Sequence, residues 1–257
     1  MTDVLDTRRV SMLTQELDHY WEMYCSHISS SHPVPQLSQD QMELCVKHLL
    51  LILEENKKIN LTRISEPHDA VILHILDSLA LLPFVQQAPA GLLIDVGTGA
   101  GFPGLTLAIA SGRKSVLMDS VGKKVKAVQS CIDKLELPEV VAVQDRAESY
   151  ASTHRGESSV VVARAVAPLS VLIEYASPLL LQDGLLVVTK GSPSNEELSE
   201  ARRACPLAGL SFSERCNFSL PGRKGNRSIF IFQKTSREKI ALPRQIGMAK
   251  KHPLGSK

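Results

Sequence analysis

The chain has 257 residues, of which 44% are hydrophobic, so it is long enough to bury a substantial core as one large domain or as a domain with an extension. Its 29 basic and 27 acidic residues leave a formal net charge of +2, which argues neither for nor against a nucleic-acid partner. The five cysteines are scattered and include no C-x-x-C pair, which argues against a disulfide framework or a metal site. The sequence has no signal peptide and no run of roughly 18 uncharged apolar residues, which argues against a secreted or membrane protein. We therefore expect a reduced, cytoplasmic protein.

The first 90 residues are predicted to be mainly helical. Residues 1–37 are predicted to form an N-terminal extension that is partly helical or disordered. Its apolar residues follow a helical spacing that ends at "SSSHPVPQ". A second helical pattern begins at Ser38, and Ser65 is predicted to cap a third helix that ends before Pro83. Residues 38–90 are therefore expected to form a helical cap.

From residue 91 to residue 235 short β-type runs alternate with helical ones, which predicts an α/β fold with a parallel sheet covered on both faces. The candidate strands are 92–96, 115–119, 139–143, 159–163 and 184–189, and the candidate helices are 104–111, 123–136, 169–181 and 195–204. Two further strands, 209–218 and 227–234, have no helix between them. This Rossmann-like domain, with seven strands, is expected to end in an antiparallel hairpin, which is unusual for dinucleotide-binding domains and typical of class I methyltransferases.

Residues 236–257 are predicted to form a basic C-terminal tail. From Lys234 to the end, seven basic residues face one acid, a local net charge of +6. Strong apolar periodicity is lacking after Leu242, which favours a flexible arm that touches phosphates. The alternative is that Pro243 to Leu254 docks back on the sheet.

The stretch "DVGTGAGFPG", residues 95–104, follows the first predicted strand. Glycines at a strand-to-helix turn bring backbone N–H groups to the carboxyl edge of a parallel sheet, where such folds bind ligands. Asp119 ends the next strand and can accept both hydroxyls of a ribose. A purely structural turn remains the alternative.

The spacing of the acid and the glycines indicates the cofactor. No Gly-Lys-Ser/Thr follows, which excludes a P-loop. NAD(P) remains possible, but its loop reads G-x-G-x-x-G, whereas here Asp95 precedes Gly97, Gly99 and Gly101. Because acid-x-G-x-G-x-G is the form used for S-adenosyl-L-methionine, we expect this cofactor to bind there.

The residues after the fourth strand bear on the methyl acceptor. "VARAVAPL", residues 162–169, lacks the Asn/Asp-Pro-Pro-aromatic motif of amine methylation and a nucleophilic cysteine. It offers Arg164, which is a donor only. An acceptor with an in-plane lone pair, such as guanine N7, needs no base, so catalysis would be mostly alignment. We expect Arg164 to orient the base, and Lys190 in "TKG" to contact RNA or cofactor at the same edge of the sheet.

Six motifs then match a known family. They are "NLTRI" (60–64), "HILDSL" (74–79), "IDVGTGAGFPG" (94–104), "LMDSVGKKV" (117–125), "ARAVAPL" (163–169) and "TKG" (189–191). In order and spacing the chain resembles, over about residues 38–235, the bacterial small-subunit ribosomal RNA methyltransferase G, or glucose-inhibited division protein B, family. The resemblance implies a class I fold, methylation of guanine N7 in 16S rRNA and the small ribosomal subunit as partner.

The same resemblance implies where cofactor contacts fall: on Gly97, Phe102, Ala147, Glu148 and Arg164. Phe102 stands where leucine is common, and residues 1–37 precede the usual start of the family. We expect a monomer without a metal ion.

Other polar residues have two interpretations each. His74, Asp77 and Ser78 share one face of an apolar helix, either as an internal network or as a lid on the cofactor pocket. The residues predicted to contact RNA, with a solvated surface as the alternative, are Lys123, Lys124, Arg223, Lys224 and Arg227. A small-molecule methyltransferase on the same fold and a non-catalytic RNA-binding assembly factor remain the rival functions.

Overall fold

The computed structural model describes residues 4–28 and 32–256, so residues 29–31 of the predicted connector lie outside the described part. Helix α1 (Thr7–Ile28) buries one stripe of apolar side chains that includes Leu13, Leu17 and Trp21. Helix α2 (Gln39–Asn56) starts where the sequence predicts, because Ser38 forms a reciprocal capping box with Gln41. The two helices pack on each other, and their buried side chains belong to the same hydrophobic core as one face of the central sheet.

The third predicted helix is a broken one. It consists of α3 (Pro67–Ala70), a π-helical turn (Val71–Leu76), α4 (Asp77–Leu79) and α5 (Leu82–Gln87). The predicted cap is wrong: the carboxylate of Glu66, not Ser65, accepts a hydrogen bond from the Asp69 backbone N–H at 2.9 Å. The predicted end is also wrong, because Pro83 lies in the first turn of α5, where its missing N–H is not needed.

Within the described residues, one helical stretch, Pro67–Gln87, is long and apolar enough to cross a membrane by length and composition. Its apolar window is 83% buried inside the protein. The stretch contains Asp69 and Asp77, so the expectation that the chain has no run of roughly 18 uncharged apolar residues stands, and burial identifies the stretch as part of the core.

The described residues form one seven-stranded sheet in the order β3-β2-β1-β4-β5-β7-β6. Its strands are β1 (Leu92–Val96), β2 (Ser115–Asp119), β3 (Val140–Gln144), β4 (Ser158–Arg164), β5 (Leu180–Lys190), β6 (Leu210–Ser219) and β7 (Asn226–Lys234). The first five are parallel, whereas β7 runs antiparallel to both β5 and β6. The predicted α/β architecture and terminal hairpin are confirmed.

Helices cover both faces of the sheet. They are α6 (Gly104–Ser111), α7 (Gly122–Lys134), α8 (Ala147–Thr153), α9 (Leu169–Ala176) and α10 (Asn195–Leu207). Helix α8 is absent from the predicted helices, and it has only seven residues. Helix α9 ends five residues earlier than predicted, and β5 starts earlier, with Asp183 in the left-handed region at φ +66°.

The C-terminal tail is packed against the domain, so the predicted flexible arm is wrong. Leu242, Ala249 and Leu254 are buried, and the tail carries helix α11 (Met248–Lys251). Arg244 forms a bidentate ion pair with Glu174 on α9, at 2.7 and 2.5 Å. The sequence did not indicate this, because the buried residues of the tail have no regular period and the hydrogen-bond partners that residues from Leu242 onward have outside the tail lie 52 to 99 positions away.

Candidate functional site

The glycine stretch forms the turn between β1 and α6 and lines a cavity of about 500 Å³, here called the glycine-loop cavity. Gly97 has φ +78°, and a Cβ there would lie 2.6 Å from the side chain of Val166. Gly99 also lines the cavity, and a Cβ on it would meet only the Gly97 carbonyl oxygen, at 3.9 Å. The turn therefore requires Gly97 for its conformation and leaves the backbone at Gly99 bare toward the cavity.

Two predicted acids have different places beside this turn. Asp119 ends β2, lines the cavity and accepts hydrogen bonds from the N–H groups of Gly99 at 3.1 Å and Val121 at 2.9 Å. Asp95 is fully buried beneath the turn and accepts from the Gly104 N–H at 2.8 Å. Burial raises the pKa of the Asp95 carboxyl to about 7. Asp95 therefore supports the turn rather than lining the cavity, unlike the direct contact that we predicted.

The far wall of the cavity combines predicted and unpredicted residues. Ala147 and Glu148 line it, as the sequence led us to expect. The Glu148 carboxylate is buried and accepts a hydrogen bond from the Gly247 N–H of the tail at 2.9 Å. Tyr175 and Lys250 also line the cavity, and sequence reasoning missed both. Lys250 was assigned to a free arm, so nothing in the pattern placed it here.

Three stacked rings lie where the glycine turn meets the helical cap. The ring of Phe102 lies between the imidazoles of His48 and His74, with centroids 4.3 and 4.7 Å away. Burial lowers the pKa of His48 to about 4 and that of His74, which also faces Arg164, to about 3. Both imidazoles are therefore neutral at pH 7. Phe102, the middle ring of the stack, also lines the cavity.

The contacts of His74 fix its tautomer. Its Nδ1 lies 3.2 Å from the Arg164 guanidinium, which can only donate, so Nδ1 accepts. The proton of the neutral ring is then on Nε2, which donates to the Thr62 hydroxyl at 2.9 Å. The polar face of the cap helix is therefore a hydrogen-bonded network, as one of the two interpretations predicts, and its His74 also lines the cavity.

Asp77 on α4 binds two predicted site arginines. Its carboxylate accepts from Arg164 at 3.1 Å and from Arg227 at 3.1 Å, and its side chain is 4% exposed. Arg164 also donates to the Leu73 carbonyl oxygen at 2.9 Å. These contacts join the cap, the end of β4 and the start of β7. We call Asp77, Arg164 and Arg227 the Asp77 cluster.

A second cavity of about 420 Å³, the Arg164 cavity, shares His74, Arg164 and Ala165 with the glycine-loop cavity. Lys190 lines it. The Lys190 ammonium pairs with Glu197 at 2.8 Å and donates to the Ala167 carbonyl oxygen at 3.0 Å. The two residues predicted to act in catalysis thus line one cavity, and both are held by buried or half-buried partners.

The five residues predicted to contact RNA do not share one environment. Lys124 lines the glycine-loop cavity, with its ammonium 4.0 Å from Asp119, whereas Lys123 is exposed. Lys224 pairs with Asp69 of α3 at 2.5 Å, and Arg223 is exposed in the hairpin turn. Arg227 belongs to the Asp77 cluster. The hairpin cations Lys224 and Arg227 therefore tie the hairpin to the cap, a role that their sequence did not indicate.

Comparison with known proteins identifies related sequences. The chain matches the GidB family, described as rRNA small subunit methyltransferase G, over residues 41–223. Ribosomal RNA small subunit methyltransferase G of Desulfitobacterium hafniense (strain Y51) is 39% identical over 222 residues, which cover 85% of this chain and 92% of that protein. The protein of the same name from Staphylococcus saprophyticus is 34% identical over 247 residues, or 95% and 98% of the two chains.

The length of the second alignment bears on the N-terminal region. Because it covers 95% of this chain, it includes most of residues 1–37, so this region does not precede the start of that relative, as the sequence led us to expect. Among solved structures, the YcgJ protein from Bacillus subtilis superposes with a TM-score of 0.50 at 12% identity, covering 63% of this chain and 100% of that one. This last similarity concerns the fold alone.

Proposed function

Because the chain belongs to the rRNA small subunit methyltransferase G family, we propose that it transfers a methyl group from S-adenosyl-L-methionine to N7 of a guanosine in 16S rRNA. One observation carries the proposal: the glycine turn and Asp119 line one cavity, and this cavity shares Arg164 with a second one. A cofactor and an acceptor base therefore have adjoining places with one guanidinium between them.

The glycine-loop cavity fits S-adenosylmethionine. The Asp119 carboxylate would accept the ribose hydroxyls, Gly97 and Gly99 would present bare backbone, and Phe102 and Ala147 would supply apolar walls. S-adenosylmethionine, when bound, supplies a methyl group on a positively charged sulfur. His48 and His74 are neutral at pH 7 and so add no positive charge beside it.

The Arg164 cavity suits an acceptor that needs no deprotonation. Guanine N7 has a lone pair in the ring plane, so the residues around it have only to align the base with the methyl donor. Arg164 and Lys190 are both donors, able to bind the guanine O6 or a phosphate oxygen. We assign them orientation of the acceptor, with Asp77 and Glu197 fixing their positions.

The substrate is ribosomal RNA or the small ribosomal subunit. We propose that the chain acts on it as a cytoplasmic monomer and without a metal ion. Of the predicted RNA contacts, Lys123 and Arg223 are the exposed cations best suited to reach phosphates outside the two cavities.

The reaction is tested with 16S rRNA, as a transcript and in small subunits, from cells that lack the gene. Incubation with the protein and S-adenosylmethionine should produce N7-methylguanosine at one position, mapped by chemical cleavage. Methyl uptake by metabolites but not by RNA would support the small-molecule rival. Cofactor binding without any methyl transfer would support the assembly-factor rival.

Asp119→Asn tests the cofactor site. The substitution removes the charge of a buried acceptor that is predicted to bind the ribose, at a cost of about 1.5 to 3 kcal/mol for each charge-assisted hydrogen bond. We expect the Kd for S-adenosylmethionine, measured by calorimetry, to rise about tenfold or more. Asp145→Asn, at another cavity-lining acid, is the matched control and should have a smaller effect. Unchanged binding by folded Asp119→Asn would contradict the cofactor assignment.

A further inference from the structure

A third cavity, of about 700 Å³, lies between α1 and the β6–β7 hairpin. Tyr20, Met23 and His27 of α1 form one wall, and Arg215 and Asn217 of β6 belong to the opposite one. We call it the α1 cavity. Its volume is in the range of about 300 to 1,000 Å³ that is usual for small-ligand sites, and no role for it follows from the reaction described above.

The α1 cavity adjoins the proposed acceptor site. Gly191 and Arg227 line both the α1 cavity and the Arg164 cavity. Arg227 is held at this junction by its bond to Asp77. A polymer whose one unit occupies the Arg164 cavity could therefore place a neighbouring unit in the α1 cavity.

The charges of the α1 cavity favour an anion. Among the described residues that line it, the ionisable side chains are two arginines, one histidine and two tyrosines, with no carboxylate. The glycine-loop cavity, by contrast, has three carboxylates, those of Asp119, Asp145 and Glu148, beside its four cations. The Arg215 guanidinium is fixed by the Asn217 side chain at 3.1 Å and the Ser228 hydroxyl at 3.0 Å, over the ring of Phe230. It is thus a preorganised donor group.

The same cavity also has an apolar side. Met23 is 52% exposed on α1, and Tyr20 and Phe218 line the space beside it. Flat apolar surfaces next to fixed cations match a nucleotide, which joins a stacking base to a phosphate. A membrane surface or an acidic peptide would not use the junction with the Arg164 cavity.

We propose that the α1 cavity binds a nucleotide of the RNA that neighbours the target guanosine, with its base against Met23 and Tyr20 and its phosphate at Arg215. The inference rests on the proposed function, because it extends the acceptor site along the same RNA. It gives α1 a part in substrate recognition.

Met23→Glu tests this directly, with Met12→Glu as the matched control. Both methionines lie on α1 and are about half exposed, at 52% and 49%, but only Met23 lines the cavity. The Met23 variant should raise the KM for 16S rRNA about tenfold and weaken binding of a 16S rRNA transcript similarly. The kcat, the Kd for S-adenosylmethionine and the Tm should stay near those of Met12→Glu. Arg215→Gln should raise the same KM and reduce the salt dependence of RNA binding.

Two outcomes overturn the proposal. Equal KM and equal RNA binding for Met23→Glu and Met12→Glu would exclude a nucleotide at this wall. Dissociation of a dimer by Met23→Glu alone, seen by sedimentation, would make the cavity an interface between copies. If the wild-type protein binds 16S rRNA but methylates no RNA, the proposed reaction fails, while the binding comparison still decides whether the α1 cavity takes RNA.

Discussion

The proposed cofactor side and the proposed acceptor side of the molecule are held together in different ways. Beside the glycine turn, the supporting bonds join residues close in sequence: Gly104 to Asp95 across 9 positions and Gly99 to Asp119 across 20. In the Asp77 cluster the bonds span 87 and 150 positions. The first region is determined mainly by local backbone geometry, whereas the second exists only after the cap and the hairpin have come together.

The tail limits this comparison, because it brings a distant segment to the cofactor side. Gly247 binds Glu148, Lys250 lines the glycine-loop cavity, and Arg244 pairs with Glu174, whose side chain is 2% exposed. Part of the cofactor side therefore depends on distant residues as well.

Truncation after Lys239 should therefore have the largest effect. It removes the burial of Leu242 and Leu254, about 1.5 to 3 kcal/mol each, and leaves Glu174 without its partner. We expect the free energy of unfolding, measured with urea, to fall by about 4 kcal/mol or more. The Kd for S-adenosylmethionine should rise as well.

A pair of point variants separates packing from charge in the tail. Arg244→Met leaves the Glu174 carboxylate buried and unpaired, and it should cost about 2 kcal/mol. Lys251→Met removes the same charge at an exposed position and should cost little. If the two variants are equally stable and both reduce the salt dependence of RNA binding to the same extent, the tail is a flexible arm, as the sequence predicted.

Asp77→Ala tests the acceptor side and should have the next largest effect. It leaves Arg164 and Arg227 without their shared carboxylate, and breaking a buried ion pair from one side costs about 3 kcal/mol. Methylation should fall further than stability alone explains, because Arg164 loses its fixed position.

Asp69→Ala is the control for that variant. It also breaks a contact between cap and hairpin, the ion pair with Lys224, but the Asp69 side chain is 41% exposed. Exposed pairs contribute only about 0 to 1 kcal/mol. If urea unfolding gives the two variants the same stability, the Asp77 cluster does not hold the acceptor side together.

The same distinction explains what could be read from the sequence. The β1–α6 turn, the place of Asp119 and the alternation of strands and helices follow from glycines, apolar runs and acids at strand ends, and the structure confirms the α/β fold they predict. Arg164 could be assigned to the site, but its bond to Asp77 could not, since no spacing connects residues from the cap and β4. Lys250 was missed for the same reason.

Two buried groups next to the glycine turn, His48 and Asp95, have opposing effects of pH on stability. Burial holds the folded-state pKa of His48 near 4, below its ordinary 6.5, so its contribution to stability is complete above about pH 6.5 and is lost as the pH falls toward 4. Asp95 has the opposite sign: its pKa is raised from 3.8 to about 7, so acidification through that range favours the folded state. The two effects partly cancel in the wild-type protein.

His48→Gln should uncover the histidine contribution and has the smallest expected effect. A glutamine amide can still donate to the Ala100 carbonyl oxygen, to which His48 Nε2 lies at 3.1 Å, but it does not titrate. Between pH 7.5 and pH 5 the wild-type protein should lose roughly 1 to 2 kcal/mol more unfolding free energy than the variant, a difference in which the Asp95 effect cancels. Urea unfolding at both pH values measures it, with His19→Gln, at an exposed position on α1, as the control. If the unfolding free energies of the wild-type and His48→Gln proteins change equally between the two pH values, His48 is not held neutral by burial.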